Sequence, residues 1–481
     1  MRRAFGLCEF GPPCDLRPMP LPIVDQAPAA PAGDDRDRWA DGLGARRVYV
    51  DSFGCQMNTH DAQRMVSVMA AEGWLPTDAP DEADLIILNS CSVREKAEQK
   101  LRSRAGSFKQ LKVDNPNLVL ALGGCVAQQE GKKLLHRVPH ADIVFGPDHL
   151  NDLPEMVESA RSGHRVLRTE FLERNAYAFP PQEDHGPVRV SAFVNVMKGC
   201  DKFCSFCIVP YTRGREVSRS ADDIVDEVKR LADRGTLEVV LLGQTVNAYG
   251  KRKKDGHIPF DELLARVAGV EGIRRVRFTS PHPSHFTEGQ IRAFRDLPEL
   301  SPHMHLPVQS GSSAVLKAMR RGYSREEYLD VVARLRGTAP EVALGTDIIV
   351  GFPGETDEDF QQTLSLVEEV RYHSAYSFAY SERVGTRALR IEPSVPVELR
   401  FERLRELQRV QDRITGEWLS SMVGHQEEVL IEGPSRTEPG RSTGRTGSNR
   451  LVHVDGAHTV GAFLRVRISE AFKHSLLGTP I

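Results

Sequence analysis

Residues 85–91 read LIILNSC, a short apolar run that ends at a cysteine. The pattern recurs on both sides of it. Val48–Phe53 stops just before Gly54-Cys55, and Leu118–Leu122 stops just before Gly123-Gly124-Cys125. Helical patterns follow each run, over residues 59–72, 94–112 and 128–136, so residues 46–180 read as an α/β unit with a parallel sheet. Loops leaving the carboxyl ends of parallel strands share one edge of the sheet, where ligands bind. A lone cysteine is most often a small buried apolar residue. Three at one register after three strands instead predict a shared ligand site built by Cys55, Cys91 and Cys125.

A second triad lies in one loop. Residues 199–214, GCDKFCSFCIVPYTRG, place Cys200, Cys204 and Cys207 in a Cys-x3-Cys-x2-Cys pattern. Thiolates favour zinc or iron-sulfur clusters. A structural zinc site takes four ligands, and no Cys or His within 200–215 supplies an obvious fourth. His60, five residues after Cys55, is a possible fourth ligand in the first unit. A 4Fe-4S cluster held by three cysteines keeps one iron open to a small molecule.

Past the Pro- and Gly-containing hinge at 178–187, a longer β/α alternation runs to about residue 418. Strands are expected at 190–197, 237–242, 274–278, 303–308, 342–350 and 374–379, with amphipathic helices such as 220–233 and 356–370 between them. Six units predict an open, partial (β/α)6 barrel with its chemistry at the carboxyl ends of the strands, as in complete barrels. Cys200 falls just past the first of these strands. Residues 419–481 read as a small all-β module in which strands at Glu428–Ile431 and Phe463–Ile468 flank a loop, 435–450, rich in Gly, Ser, Thr and Arg. Its basic residues, Arg441, Arg445 and Lys473 among them, suit phosphate contacts. The basic stretch 94–112 could extend that surface.

Composition fits this outline. The 481 residues suffice for about three domains. A hydrophobic content of 40% and no apolar run near the ~20 residues of a membrane span predict a soluble, cytoplasmic protein without membrane attachment. A formal net charge of −3 excludes a uniformly basic nucleic-acid binder but not local basic patches. Eight cysteines without an export signal argue for metal or redox chemistry over a disulfide framework. Residues 1–45, which hold Cys8 and Cys14, read as a disordered tail.

The Cys-x3-Cys-x2-Cys motif with Phe206 before its last cysteine resembles the radical S-adenosylmethionine superfamily. The upstream cysteines and the downstream β module make the chain similar to the methylthiotransferases. That likeness covers residues 46 to 478 and implies an N-terminal cluster domain (46–180), a radical domain (188–418) and an RNA-binding TRAM domain (419–481). The stretches that carry it are Ser52-Phe-Gly-Cys-Gln-Met-Asn58, Asn89-Ser-Cys-Ser-Val-Arg-Glu-Lys-Ala97, Gly123-Gly-Cys-Val-Ala-Gln128 and Cys207 to Arg219.

The resemblance implies two 4Fe-4S clusters. Cys200, Cys204 and Cys207 would hold the one that binds and cleaves S-adenosylmethionine to a 5′-deoxyadenosyl radical. Cys55, Cys91 and Cys125 would hold an auxiliary, sulfur-carrying cluster. The cofactor would be lined by Phe206 and by strand-end segments containing Gly243, Gln244, Asn247, Gln309 (within His305-Leu-Pro-Val-Gln-Ser-Gly311), Asp347 and Gly351. Within the family the likeness is to the branch that methylthiolates carbon 2 of isopentenylated adenosine, 3′ to the anticodon of tRNA. The implied partners are that tRNA, an electron donor such as a flavodoxin or ferredoxin, and sulfur or cluster supply proteins, with the enzyme acting as a monomer. Thr245 departs from the usual Asn, and the turn Ser381–Thr386 lacks two prolines common there. Two other readings stay open: a sister enzyme acting on threonylcarbamoylated adenosine or a ribosomal protein, and a zinc-bearing RNA-binding protein without catalysis.

Overall fold

The computed structural model describes residues 46–92, 95–173, 177–179, 189–251, 258–436 and 438–481. The expected tail, Cys8 and Cys14, and most of the hinge lie outside the described residues. The first sheet has six parallel strands: β1 (Arg47–Phe53), β2 (Leu75–Pro76), β3 (Leu85–Ser90), β4 (Val119–Gly124), β5 (Ile143–Phe145) and β6 (Val166–Arg168), in the order β2-β1-β3-β4-β5-β6. Sequence patterning exposes only β1, β3 and β4, because the others are two or three residues long. Every residue of β3 and β4 is buried. Apolar clusters cover the two faces, one around Met65, Leu85, Ile87 and Phe145, the other around Ile86, Leu88, Leu101 and Leu134. A sheet covered on both faces selects unbroken apolar runs.

The expected helix at 94–112 is two helices, Glu95–Ser107 and Lys109–Asp114, split at Phe108. The one expected at 128–136 begins earlier, at Cys125, and is interrupted at Gly131, where φ is +51°.

The second unit holds β7 (Ser191–Asn195), a short hairpin of β8 (Met197–Lys198) and β9 (Val217–Ser218), and then β10 (Glu238–Leu242), β11 (Arg275–Phe278), β12 (His303–His305), β13 (Ala343–Val350) and β14 (Ser374–Ala379). Parallel ladders join β7-β10-β11 and β12-β13-β14, and a single bridge, Val276 to Leu300, spans the gap between them. No ladder closes β14 onto β7 among the described residues. The expected partial barrel of six strands is what forms. One large cluster, including Val194, Val239, Leu241, Val276, Leu344, Ile348 and Val350, packs these strands against their helices.

A 25-residue helix, Val397–Ser421, leads to a closed five-stranded barrel: β15 (Gln426–Pro434), β16 (Arg441–Thr446), β17 (Leu451–Asp455), β18 (Phe463–Ala471) and β19 (Leu476–Pro480). Here one expectation is corrected. The segment read as a loop, 435–450, contains strand β16. Its alternate residues Ser442, Gly444 and Thr446 are buried, and a Cβ on Gly444 would lie 2.2 Å from the Leu430 carbonyl oxygen. A narrow barrel admits only small side chains there, so composition resembles that of a loop.

Candidate active site

The first cysteine triad forms at the carboxyl edge of the six-stranded sheet. Cys55 precedes the helix Gln56–Ala71, Cys91 follows β3, and Cys125 opens the helix that follows β4. Close approach of these loops depends on glycine. Gly54 has φ +140°, and a Cβ there would sit 2.2 Å from that of Cys91; Gly124 has φ +92°, and a Cβ there would sit 2.3 Å from Asn89 Oδ1. Other side chains strain or clash at such positions.

Cys55 and Cys91 hydrogen-bond to one another. That bond, with the Arg213 charge, outweighs burial and lowers the Cys55 thiol to about 6. Burial pushes the Cys125 thiol up, opposed by the charge of Arg213 and a hydrogen bond with Thr212. Asn58 Oδ1 lies 3.5 Å from Cys55 Sγ, and the Asn58 backbone is braced by Asn89, whose Nδ2 donates to the Asn58 main-chain carbonyl at 2.8 Å.

The second triad sits on the loop after β8, behind Gly199 (φ +75°), where a Cβ would meet the Arg215 carbonyl oxygen at 2.2 Å. Burial pushes the Cys200 thiol up to about 11 and the Cys207 thiol up to about 12. Cys200 Sγ is 3.2 Å from the hydroxyl of Thr245, one of the two sequence departures. Buried Arg321 donates from Nη1 to Cys204 Sγ at 3.4 Å, and its Nη2 is anchored on the Pro307 carbonyl. Arg321 carries no motif signature; it reaches Cys204 across 117 residues of chain.

The two triads face one barrel interior. Side chains alternate along a strand. Val239 and Leu241 of β10 point into the helix-packed core, while Val240 and Leu242 point the other way and pack on Met57 and Cys55 of the first unit, together with Phe193. The first unit therefore covers the inner face of β7 and β10. The opposite wall stays open. By register with β13, the inward residues of β14 are Ser374, Tyr376 and Phe378, paired with Gly345, Asp347 and Ile349. Phe378 is 40% exposed. His305 stacks obliquely on Tyr376, ring centroids 5.7 Å apart, and its Nε2 is 3.2 Å from Asp347 Oδ1.

The residues expected to line a cofactor behave differently from one another. Both amide atoms of Gln244 are buried and have no hydrogen-bond partner among the described residues. Such a group demands a partner. Gln309 is held with φ +75°, rare for a residue with a Cβ, its N–H donating to the Asp347 carbonyl. Gly243 and Gly351 are kept small by Met197 and Arg400, whose side chains a Cβ would contact at 2.7 and 2.4 Å. Phe206 packs against the cluster of Phe352 and Tyr380. Asn247, by contrast, spends its amide on the backbone of His282, accepting at 2.8 Å and donating at 3.1 Å.

Arg441 pairs with Asp455 at 2.8 Å and with Glu438, Arg445 with Glu432 at 3.4 Å, and Lys473 with Asp412 at 3.0 Å. In the basic stretch 94–112, Arg94 and the Lys96 side chain lie outside the described residues. Arg102, Arg104 and Lys112 there are each paired with acids.

His60 does not join the first triad: its Nε2 accepts from Arg64 Nε at 3.2 Å and its Nδ1 faces Asp61. No group of three or more Cys, His, Asp or Glu side chains among the described residues is gathered as the ligands of one ion. Three thiols in each group suit an iron-sulfur cluster, which cysteine thiolates hold with each sulfur on a different iron.

Residues 47–146 match the model described as "Uncharacterized protein family UPF0004", residues 194–367 that of the Radical SAM superfamily, and residues 420–481 that of the TRAM domain. A protein of Myxococcus xanthus named tRNA-2-methylthio-N(6)-dimethylallyladenosine synthase is 47% identical over 443 residues, 91% of this chain and 94% of its own. One of the same name from Paraburkholderia phytofirmans is 45% identical over 444 residues, 90% and 96% of the two chains. Among solved structures, the radical S-adenosylmethionine methyltransferase TsrM of Kitasatospora setae, with cobalamin and a 4Fe-4S cluster bound, has a similar fold. The TM-score is 0.55 at 15% identity, over 83% of this chain and 81% of that one.

Proposed function

Since the chain belongs to the family of tRNA-2-methylthio-N6-dimethylallyladenosine synthases, we propose that it methylthiolates carbon 2 of isopentenylated adenosine next to the anticodon of tRNA. The observation that carries this reading is the pair of cysteine triads facing one barrel interior whose far wall is open and aromatic.

Cys200, Cys204 and Cys207 hold a 4Fe-4S cluster, and Cys55, Cys91 and Cys125 hold a second. When bound, the first supplies an electron for cleaving S-adenosylmethionine and the second supplies the sulfur. Radical chemistry suits the target, because carbon 2 of adenine bears an unactivated hydrogen that no side-chain base can remove. Gln244 offers its unpartnered amide to S-adenosylmethionine, and Asp347, steadied by His305, offers a carboxylate to its polar groups. Gly243 and Gly351 let Met197 and Arg400 pack closely against the strand ends that shape the cofactor rim, and Gln309 belongs to the same rim. Asn247 acts indirectly, fixing the His282 loop. Arg321 holds Cys204 from the protein side.

An anticodon-loop base is single-stranded and can be splayed out and stacked. Tyr376 and Phe378 give it an aromatic surface on the open wall. The TRAM barrel and its basic residues Arg441, Arg445 and Lys473 grip the tRNA outside the barrel mouth. An electron donor of flavodoxin or ferredoxin type and cluster supply proteins complete the cycle, with the enzyme working as a cytoplasmic monomer. No described helix is long and apolar enough to cross a membrane.

Mass spectrometry of tRNA nucleosides from cells with and without this protein tests the reaction. Loss of the 2-methylthio group from isopentenyladenosine is expected, and an unchanged nucleoside profile rejects it. Burying roughly four methylene equivalents of the isopentenyl group contributes about 3 kcal/mol, so single-turnover rates on matched tRNAs with and without that group should differ about 100-fold. Equal rates would point to a sister substrate.

A further inference from the structure

The five residues that separate Cys207 from Arg213 run from one triad to the other. The short helix Val209–Thr212 packs on the helix opened by Cys125. Thr212 at its end hydrogen-bonds to the Cys125 thiol. Arg213, 5% exposed, passes into the first unit, where its Nη2 donates to Asp61 Oδ2 at 2.6 Å and to Asn58 Oδ1 at 3.2 Å. That same Asn58 oxygen is the neighbour of Cys55 Sγ. Six Cα–Cα steps reach at most about 20 Å, so this segment also bounds the separation of the two sites.

A full positive charge buried beside thiol ligands is costly unless it is compensated. Asp61 compensates it only in part, because the guanidinium also feels Cys125 and Cys55: burial disfavours its charge, yet Asp61 and the two thiols hold it well above the ordinary range. The guanidinium beside the auxiliary site therefore comes from the barrel unit rather than from the sheet that carries the cysteines.

We propose that Arg213 is a positioning and charge-compensating residue for the auxiliary site, delivered by the radical-site loop, which raises the reduction potential of the cluster held by Cys55, Cys91 and Cys125 while Asp61 lowers it. This rests on the reading that those three cysteines hold a cluster. A buried cation stabilises the added electron and a buried carboxylate opposes it. Because Cys207 and Arg213 share one loop, the covalent chain limits how far the radical site and the auxiliary site can separate.

The test uses the full-length protein with Cys200, Cys204 and Cys207 replaced by Ala, reconstituted anaerobically with iron and sulfide, so that only the auxiliary cluster titrates. Midpoint potentials are read by electron paramagnetic resonance during a redox titration. Arg213→Gln should lower the potential, Asp61→Asn should raise it, and Arg213→Lys, which keeps the charge, should stay close to the parent. A parent protein without about four irons per chain removes the cluster reading itself. A loaded cluster whose potential ignores both substitutions, or shifts in the same direction for both, overturns the role of Arg213. Should Arg213→Gln not retain its cluster, the Asp61→Asn shift decides alone, and a fall or no change overturns the proposal.

Discussion

Cys200, Cys204 and Cys207 come from eight consecutive residues, whereas Cys55, Cys91 and Cys125 are drawn from three loops spread over 71. The loop triad needs one glycine turn at Gly199 and two contacts, from Thr245 and Arg321. The dispersed triad needs the whole parallel sheet, two glycines that allow its loops to meet, and a bracing pair of asparagines. Long loops add closure entropy that only the folded sheet offsets. The contrast makes the dispersed site a reporter of tertiary structure and the loop site a reporter of local sequence. Both are joined through the segment that ends in Arg213.

Removing one triad at a time separates them most sharply. Replacing Cys200, Cys204 and Cys207 by Ala should abolish cleavage of S-adenosylmethionine. Replacing Cys55, Cys91 and Cys125 should leave some unproductive cleavage and no sulfur transfer. Iron should fall from about eight per chain to about four in either variant, and stoichiometric zinc in the parent would break the comparison at its root.

The joint between the triads can be loosened without touching a cysteine. Arg64 of the first unit donates to Glu227 of the barrel at 2.6 Å, and Arg219 pairs with the same carboxylate; all three are buried or nearly so. Glu227→Gln leaves two guanidiniums without their counter-charge and should cost on the order of 3–5 kcal/mol of stability. Both clusters should remain, with cleavage uncoupled from sulfur transfer. Glu417→Gln, which disturbs only surface pairs, should leave the melting temperature unchanged. Equal effects from the two would show that the buried network does not join the units.

Gly124→Ala probes the dispersed site alone. Its φ of +92° and the 2.3 Å approach to Asn89 Oδ1 combine strain and overlap worth about 3 kcal/mol. Auxiliary iron should be lost while cleavage survives. Gly163→Ala, at φ +87° with nothing within 4 Å, carries only the strain and should cost about 1 kcal/mol with full iron content. If both variants keep their iron, close loop approach is not what builds the site.

The same contrast explains what sequence could reveal. The loop triad is a spacing, and spacing is visible in a string of letters. The dispersed triad was visible because each cysteine follows an apolar run, and two of the three follow a glycine whose φ is positive, as Cys200 does after Gly199. Asp61 and Arg321 left no such trace, and Asn58 and Arg213, though they lie in the quoted motif stretches, showed no role there, since these contacts join residues 117 to 155 positions apart. Strand β16 was hidden for another reason. Its inward positions need small residues, and Ser, Gly and Thr in alternation look like a loop to any rule based on composition.

The smallest effect expected is on the grip of the tRNA, which lies outside both triads. Of the three basic residues assigned to it, Arg445 is the least available, 19% exposed and paired with Glu432, and Arg441 is bracketed by two acids. Lys473 differs: it is 61% exposed, and its partner Asp412 is also at the surface. An exposed pair of that kind is weak and can exchange its carboxylate for a phosphate. Lys473→Glu should therefore weaken tRNA binding severalfold and reduce the salt slope by about 0.7–0.9, the counterions released by one phosphate contact. Iron content and cleavage of S-adenosylmethionine should both be unchanged, because neither triad is near. Reversal at Arg445 should instead act on folding of the β barrel, where its charge faces Glu432. A salt slope that ignores Lys473 but falls on reversal at Arg445 would place the RNA on the β15–β16 side of the TRAM barrel and change the direction from which the base enters between the triads.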